Sequence, residues 1–352
     1  MAGLGSIGQR HARNLRTVLG ADVELLAYRV RRLGQVITPD PGEAMRADTG
    51  GALDIKVNDV EAWLGLRVFT SLDAAIAERP DAVFVTNPNS FHMPVALAAA
   101  RAGCHLLIEK PLSHNLAGVA ELTDLVDRGR LVCLVGYHLR FHPGFRLVQS
   151  WLSAHAIGRV IAARLEFGEY LPGWHPYEDY RQMHASRSDQ GGGVVLSQIH
   201  DLDYAYALFG LPRRLFAVGG HLSGLEVDVE DTASILMECV DTGRRFPVHL
   251  HQDCVRRPRS RTCEVIGDAG TIHFDFNAGV AERRDEAGDC VEAHAFDDVR
   301  RNDLFLDELR HFLACVRGDE RPCVGIREAS QSLRVALAAR ESMETGEVVA
   351  LT

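Results

Sequence analysis

Residues 3–8 read GLGSIG, and the residues that follow, QRHARNLRTVLG (9–20), have the pattern of a helix. The glycines fit G-x-G-x-x-G: Gly3 permits a tight turn, Gly5 lets the backbone approach a pyrophosphate, and Gly8 allows close helix packing. Many glycine-rich turns match this motif by chance, but VELLAYR (23–29) follows as a strand at the expected spacing. The stretch therefore predicts a dinucleotide-binding Rossmann domain, with phosphates at the positive end of the helix.

The strand that should precede the glycine motif is almost absent from the sequence. Only Met1 and Ala2 stand before Gly3, whereas a strand usually takes about five residues. We therefore expect a Rossmann sheet whose first strand is truncated, which would expose the edges of the neighbouring strands. We also expect the native chain to begin upstream of Met1.

The end of the second predicted strand bears on the choice of dinucleotide. An acid at this place would bind the ribose 2′-hydroxyl of NAD, but the sequence has Tyr28 and Arg29, with Arg31 and Arg32 nearby. An arginine there can pair with the 2′-phosphate of NADP. A solvated arginine cluster is the alternative. The sequence predicts NAD or NADP as cofactor, and Arg29 favours NADP.

The pattern of the chain changes near residue 140. Before it, short apolar runs alternate with helical patterns such as SHNLAGVAELTDLVDRG (113–129), as in βαβ units with a parallel sheet. After residue 150, strand-like runs follow one another, interrupted by a single predicted helix over 192–210, and two further predicted helices follow them, near 303–317 and 326–343. This order is typical of a mostly antiparallel sheet. We predict an α/β domain over 1–138 and an α+β domain over 139–352, and we allow for the C-terminal helix packing back on the first.

Composition and charge exclude several classes of protein. The chain of 352 residues carries a net charge of −10, which argues against a nucleic-acid groove. No apolar run approaches the roughly 18 residues of a membrane helix. The eight cysteines form no CxxC pair, so a reducing cytoplasm is the expected location. The histidines form neither H-x-x-x-H nor H-E-x-x-H, and we predict no metal site.

Four motifs in order carry a resemblance to a known family. They are GLGSIGQRHARNL (3–15), TNPNSFH (86–92), EKPLS (109–113) and a histidine-bearing helix after GGG (191–193). Together they resemble the glucose–fructose oxidoreductase / inositol dehydrogenase / rhizopine-catabolism (Gfo/Idh/MocA) family. The resemblance implies a Rossmann domain followed by a substrate-binding domain whose open antiparallel sheet often serves oligomerisation. We therefore expect a homodimer or homotetramer.

The resemblance also implies site residues. Lys110 and His200 correspond to the family's catalytic lysine and histidine, and the Lys110–Pro111 bond is expected to be cis. The implied cofactor-binding residues are Gly3, Gly5, Ser6, Ile7, Gly8, Thr86, Asn87, Pro88, His92 and Glu109.

The sequence departs from the family on the helix that bears His200. Many members have D-x-x-x-H there, but Leu196 stands at the acidic position and Ser197 follows it. Another group must then orient the histidine, and Asp203 or a backbone carbonyl is the candidate.

The residues themselves support these roles. Hydride transfer from a secondary alcohol needs a group to move the hydroxyl proton and a donor to stabilise oxyanion charge. Lys110 ends a predicted parallel strand, where open sheets bind their ligands, and desolvation would lower its pKa. From its residue type, we expect His200 to titrate near neutrality. A solvated lysine and a structural core histidine are the alternatives.

A polar and aromatic set in GYHLRFHP (136–143) and GWHPYEDYR (173–181) suits carbohydrate binding, because sugars stack on rings and accept directed hydrogen bonds. Arg140 and Arg181 could also bind a carboxylate or phosphate. An ordinary surface loop is the alternative. The predicted substrate residues are Tyr137, Arg140, His142, Trp174, Tyr180, Arg181 and Asp203, with His175 and Tyr177 in the same stretch.

The leading hypothesis is an NAD(P)-dependent oxidoreductase that transfers hydride to or from a secondary hydroxyl or keto group. Its substrate would be a sugar, polyol or sugar nucleotide, and HPYEDYR and IHDLDY resemble members of bacterial surface-polysaccharide metabolism. Two alternatives stay open, since fold alone does not decide function. One is an NAD-dependent glycoside hydrolase of the same fold, and the other is a non-catalytic NAD(P)-binding protein.

Overall fold

The structure is a computed structural model that describes residues 1–29, 36–38, 53–55, 60–175 and 178–351. Three residues of the predicted cofactor and substrate stretches, Arg31, Arg32 and Tyr177, lie outside the described residues. No described helix combines the length and the apolar composition needed to span a bilayer.

The N-terminal part of the chain forms a parallel sheet in two sections, joined by the first residues. The strands are β1 (Leu25–Tyr28), β2 (Val36–Thr38), β3 (Leu53–Ile55), β4 (Leu66–Phe69), β5 (Ala82–Val85), β6 (His105–Glu109) and β7 (Cys133–Gly136). The pair β1–β4 and the triplet β5–β6–β7 are parallel, while β2 and β3 form a separate antiparallel pair.

Residues 1–3 occupy the place of the central strand. Ala2 forms parallel bridges to both Tyr28 and Val85, and its amide donates to the Phe84 carbonyl at 2.8 Å. The amide of Gly3 donates to the Tyr28 carbonyl at 3.0 Å. This short strand thus links β1 to β5, and the resulting order is that of a Rossmann sheet.

Helices cover the parallel sheet: α1 (Ser6–Leu19), α2 (Val60–Leu64), α3 (Leu72–Ala77), α4 (His92–Arg101) and α5 (Val119–Gly129). The helix that we predicted from Ser113 begins only at Val119, because Gly118 has a left-handed backbone (φ 80°) and Ser113 caps nothing.

The second half forms one nine-stranded sheet. Its strands are β8 (Val160–Gly168), β9 (Arg214–Gly220), β10 (Thr232–Asp241), β11 (Arg244–Asp253), β12 (Ser260–Gly267), β13 (Gly270–Asp275), β14 (Val280–Asp285), β15 (Cys290–Ala295) and β16 (Val349–Ala350). Their order is β15-β14-β13-β12-β8-β11-β10-β9-β16, and only the β8–β11 pair is parallel. The predicted open, mostly antiparallel sheet is confirmed.

Five helices belong to this half: α6 (Pro143–Ser153), α7 (Val194–Ser197), α8 (His200–Phe209), α9 (Arg301–Arg317) and α10 (Ile326–Thr345). Helices α6, α7, α8 and α10 pack on the sheet, whose strands bury alternate apolar residues. Helix α9 also contacts α1, and Asn302 and Asn14 exchange amide hydrogen bonds of 3.1 and 3.3 Å there. The division at residue 138 stays a prediction.

Candidate active site

A cavity of about 840 Å³ lies where the start of α1, the ends of β5 and β6, and the break between α7 and α8 meet. The glycine motif lines one end and the α7–α8 break the other. Among the predicted cofactor and catalytic residues, the following line it: Gly3, Gly5, Ser6, Ile7, Arg29, Thr86, Asn87, Pro88, His92, Glu109, Lys110 and His200. Gly8 is buried beneath the turn.

The glycine end has the geometry of a pyrophosphate site. A Cβ on Gly3 would lie 2.9 Å from the backbone of Thr86 and Asn87, and one on Gly8 would lie 2.3 Å from the Gly3 carbonyl oxygen. A Cβ on Gly5 would meet nothing within 4 Å, so its backbone faces open space. Among the described residues, no side chain caps the amino end of α1. Its amides are therefore available to an anion, and the residues present fit a dinucleotide.

Buried hydrogen bonds hold the segment after β5 against this turn. The Thr86 hydroxyl lies 2.9 Å from the carbonyl oxygen of Gly3 and 3.1 Å from that of Ala2. His92 lies between two further carbonyls, with Nδ1 2.8 Å from Pro111 and Nε2 2.8 Å from Asn87. His92 thereby ties the 86–88 segment to the one that contains Lys110.

Arg29 lines the cavity at the end of β1, as predicted, but its guanidinium is not isolated. Its Nη2 forms an ion pair with Oε1 of Glu61, and the Arg29 side chain is only 10% exposed. A carboxylate therefore stands beside the position where the ribose of a dinucleotide would bind.

Lys110 lies at the end of β6 on the cavity wall. Its Nζ donates to the Ser197 carbonyl at 2.7 Å, and the Lys110–Pro111 bond is cis, as expected. Burial lowers the pKa of Lys110 to about 8, while the neighbouring Glu109 carboxylate acts in the opposite direction. The amine and ammonium forms are therefore both accessible near neutral pH.

His200 opens helix α8 because the predicted helix over 192–210 is broken at residues 198–199. The carbonyl of Ser197 accepts from Lys110, and the carbonyl of Gln198 accepts from Gln252 Nε2 at 2.7 Å. These bonds satisfy carbonyls at the break, and His200 then starts a new helix at the cavity.

The His200 ring is held by packing. Nδ1 is buried without a hydrogen-bond partner among the described residues, and the ring meets those of His138 and Tyr137 edge-on at 4.6 and 5.8 Å. Burial, then the charges of nearby groups, lower the pKa of His200 well below its usual value, so the ring is neutral. Leu196, at the position of the missing acid, is fully buried.

Asp203 does not orient His200, contrary to our expectation. Its carboxylate accepts from Arg140 at 2.6 and 3.0 Å and from the Ser332 hydroxyl at 3.0 Å. This buried network joins α8 to α10 away from the cavity.

Most of the predicted substrate residues also lie off the cavity, and these predictions need correction. Tyr137 is 1% exposed behind His200, and Arg140 is occupied by Asp203. His142 is buried and accepts from the Gly144 amide at 3.0 Å as the cap of α6.

Of the other predicted loop residues, Tyr180 and Arg181 lie off the cavity and Trp174 lines it. The Tyr180 hydroxyl accepts from the Glu226 amide, and the exposed Arg181 pairs with Asp179 and Glu226. Trp174 does line the cavity, and its Nε1 is buried without a partner in the described part of the chain.

Sequence reasoning missed several residues that line the same cavity. They are His138, His184, Gln198, Arg259, Arg261, Arg301 and Phe305. The run VRRPRSR (255–261), an arginine cluster in an acidic chain, was the available signal. Arg261 is 4% exposed, donates to Gln198 Oε1 at 2.8 Å and pairs with Asp201 at 3.2 Å, so it supports the α7–α8 break from below.

Comparison with known proteins agrees with this geometry. Residues 1–137 match the family model "Oxidoreductase family, NAD-binding Rossmann fold", and residues 145–273 match the GFO/IDH/MocA C-terminal domain. Myo-inositol 2-dehydrogenase of Thermotoga maritima is 26% identical, across 99% of this chain and 97% of the relative. The NAD⁺-dependent scyllo-inositol 2-dehydrogenase of Bacillus subtilis is also 26% identical, across 99% and 94%.

Solved structures show the same fold. The WlbA dehydrogenase of Bordetella pertussis, in complex with NADH and UDP-GlcNAcA, superposes with a TM-score of 0.76 at 20% identity, over 100% of this chain and 97% of that one. The myo-inositol 2-dehydrogenase of Lactobacillus plantarum gives 0.75 at 20% identity, over 100% and 98%.

Proposed function

Because this chain belongs to the Gfo/Idh/MocA family of NAD-binding oxidoreductases, we propose that it transfers hydride between a nicotinamide dinucleotide and a CH–OH or keto group of a carbohydrate. The substrate class is a sugar, polyol or sugar nucleotide. The inositol dehydrogenases among its relatives support a cyclic polyol or sugar. Trp174 supports it too, with a ring to stack on and an unpaired donor for a hydroxyl.

Lys110 and His200 divide the proton chemistry in this proposal. When bound, the nicotinamide supplies the carbon that accepts or releases hydride. Lys110 Nζ takes the hydroxyl proton when the substrate is oxidised and returns it when the substrate is reduced. Neutral His200 hydrogen-bonds the same oxygen and steadies its developing charge.

One observation carries this assignment: Lys110 Nζ donates to the carbonyl of Ser197, at the helix break that places His200 on the same cavity. The lysine thus holds in place the segment that presents the histidine. A pKa of about 8 suits a group that must gain and lose a proton in each turnover. A non-catalytic binding protein needs neither feature, and the two inositol-specific relatives are dehydrogenases, not hydrolases.

The choice between NAD and NADP depends in this proposal on Arg29 and Glu61 together. Arg29 can pair with a 2′-phosphate, but Glu61 occupies it and repels a phosphate. We therefore propose that both dinucleotides are used, with NADP accepted at the expense of the Arg29–Glu61 pair.

The protein is further proposed to be a cytoplasmic homo-oligomer. All eight cysteines are thiols, six of them buried, which suits a reducing compartment. Apolar side chains on the solvent face of the nine-stranded sheet, among them Phe216 and Leu236, support a contact between copies of the chain.

The test is a panel of polyols, aldoses and sugar nucleotides, incubated with each dinucleotide and followed by the absorbance of the reduced nicotinamide. On the substrate so found, Lys110→Ala is expected to lower kcat by roughly 10²–10⁴ with cofactor affinity unchanged, and His200→Ala by the same or less. Oxidation by the native enzyme should speed up as the pH rises through about 8.

Arg181→Ala is the matched control, because Arg181 is an exposed cation beside the cavity loop that does not line the cavity. It should turn over at the native rate. Near-native turnover in Lys110→Ala would refute the assigned role. Glycoside cleavage without net production of reduced cofactor would favour the hydrolase.

A further inference from the structure

Three ionisable side chains from distant parts of the chain meet behind the cavity wall. They are His11 of α1, Glu109 at the end of β6 and Glu308 of α9. His11 and Glu308 are 0% exposed and Glu109 is 6% exposed. One nitrogen or oxygen atom of each lies within 4.8 Å of the others, and His11 Nε2 is 2.7 Å from Glu109 Oε1.

The two carboxyl groups are not equivalent. Glu109 receives the His11 contact and borders the cavity, whereas both oxygens of Glu308 are buried without a hydrogen-bond partner among the described residues. An ionised carboxylate without donors is very costly to bury, and a second carboxylate nearby adds repulsion. Burial first, and then the charge of Glu109, raise the pKa of Glu308 well above its ordinary value.

We propose that Glu308 holds a proton at working pH and that it and His11 position Glu109 as the one ionised carboxylate of this three-residue cluster behind Lys110. This role rests on the proposed function, since it concerns the lysine assigned to proton transfer. With one carboxylate behind it, Lys110 keeps its amine form within reach near neutrality. A second ionised carboxylate would hold Lys110 as ammonium to higher pH. Glu308 is thus a positioning residue that acts through Glu109.

Other charged groups surround the lysine and the buried acid. The titratable groups near Glu308 are Glu109, His11 and Cys323. Those near Lys110 are Glu109, Asp201, Arg261, Arg301, His92, His138, His184 and His200. Among these, Glu109 acts most strongly on the pKa of Lys110, after burial itself.

A divalent metal ion is the competing occupant, because one histidine and two carboxylates can ligate zinc or iron. The contact between His11 Nε2 and Glu109 Oε1 argues for a proton instead. Its length of 2.7 Å is that of a hydrogen bond. Two ligands on one tetrahedral zinc stand about 3.3 Å apart at usual bond lengths.

The first test compares pH profiles of kcat/KM for the native enzyme, Glu308→Gln, Glu308→Ala and Glu109→Gln. An amide resembles a neutral acid, so Glu308→Gln should keep the apparent pKa of the lysine, whereas Glu308→Ala should disturb it. Glu109→Gln should lower that pKa by roughly one to three units, because it removes a nearby charge. Glu178→Gln, which removes an exposed carboxylate from the same cavity, should leave the apparent pKa of the lysine unchanged. A drop with Glu308→Gln like that with Glu109→Gln would mean that Glu308 is ionised, and would overturn the proposal.

The second test needs no activity and therefore separates this inference from the proposed function. A carboxyl whose folded pKa is raised stabilises the fold fully only below its unfolded pKa of about 4.3, and that contribution is lost as the pH rises. Native Tm should therefore fall relative to that of Glu308→Gln with each pH unit above about 4.3. A constant difference would refute the neutral acid.

Two measurements on the native protein remain decisive if the variants do not fold. Infrared spectra at pH 7 should contain the carbonyl band of a neutral carboxylic acid, lost on unfolding, and its absence would overturn the proposal. Elemental analysis should find no stoichiometric transition metal. One metal ion per chain, with a Tm lowered by chelators, would replace the proton with a metal site.

Discussion

Arg29 shows how one neighbouring residue can change what a motif means. An arginine after the second Rossmann strand is a typical 2′-phosphate ligand, but here Glu61 already neutralises it. To bind NADP, the protein must give up this ion pair or accept a phosphate beside a carboxylate. We therefore expect the cofactor preference to depend on both residues of the pair.

Glu61→Gln is expected to raise the ratio of kcat/KM for NADP to that for NAD. The amide frees Arg29 for the phosphate, and a hydrogen bond to a charged group is worth enough to change the ratio by about ten- to a hundredfold. Arg29→Ala should lower the ratio. Arg67→Ala is the control, because Arg67 of β4 forms an exposed ion pair with Glu24, which directly precedes β1. If neither Arg29→Ala nor Glu61→Gln changes this ratio, the assignment is contradicted.

Sequence reasoning predicted the residues at the cofactor end of the site better than those at the substrate end. The glycine motif acts through its own local backbone, so the tight approaches at Gly3 and Gly8 were predictable. Tyr137, Arg140 and His142 are neighbours in sequence of residues that line the cavity. The direction in which each side chain points, however, depends on partners that are distant along the chain. Arg140 points toward the Asp203 carboxylate, which also accepts from Ser332. No local sequence pattern reveals such contacts.

At the scale of elements, the break between α7 and α8 is the feature that places His200 on the cavity. The sequence over 192–210 has a continuous helical pattern, but α7 stops at residue 197, where the carbonyls of Ser197 and Gln198 accept tertiary hydrogen bonds from Lys110 and Gln252. The start of α5 depends likewise on Gly118, whose left-handed backbone excludes the upstream residues from the helix. Helical periodicity alone predicts neither.

Gln252→Leu is expected to disturb catalysis through this break. Gln252 is fully buried and donates to the Gln198 carbonyl at 2.7 Å, so its loss leaves that carbonyl with only the longer, 3.3 Å hydrogen bond from the Asp201 amide, at a cost of about 0.5–1.5 kcal/mol. We expect a lower Tm and a lower kcat with unchanged affinity for the dinucleotide, because the glycine motif is not touched. Gln331→Leu on α10, where the side chain accepts a hydrogen bond from the nearby Arg334, controls for the substitution. A native kcat in Gln252→Leu would show that the break does not need this bond.

At the scale of the whole molecule, the nine-stranded sheet is covered on one face and open on the other. The outward side chains of β9 and β10 include Phe216 at 37%, Leu236 at 50% and Val218 at 60% exposure. Leu236 lies directly opposite Phe216 in the strand register, so these residues form one continuous apolar area. We expect such an apolar area on an open sheet to bind another protein surface.

A second copy of the chain is the simplest partner for this face, since a twofold axis lets the same patch cover itself. We expect the native protein to sediment as a dimer or tetramer, and Leu236→Glu to shift it toward monomer, because two facing carboxylates in an apolar contact would repel each other. Leu116→Glu places the same charge on a leucine of 43% exposure in the N-terminal half, and should leave the mass unchanged. A native protein that sediments as a monomer at every concentration, or a Leu236→Glu variant with native mass, would show that the open face has another purpose.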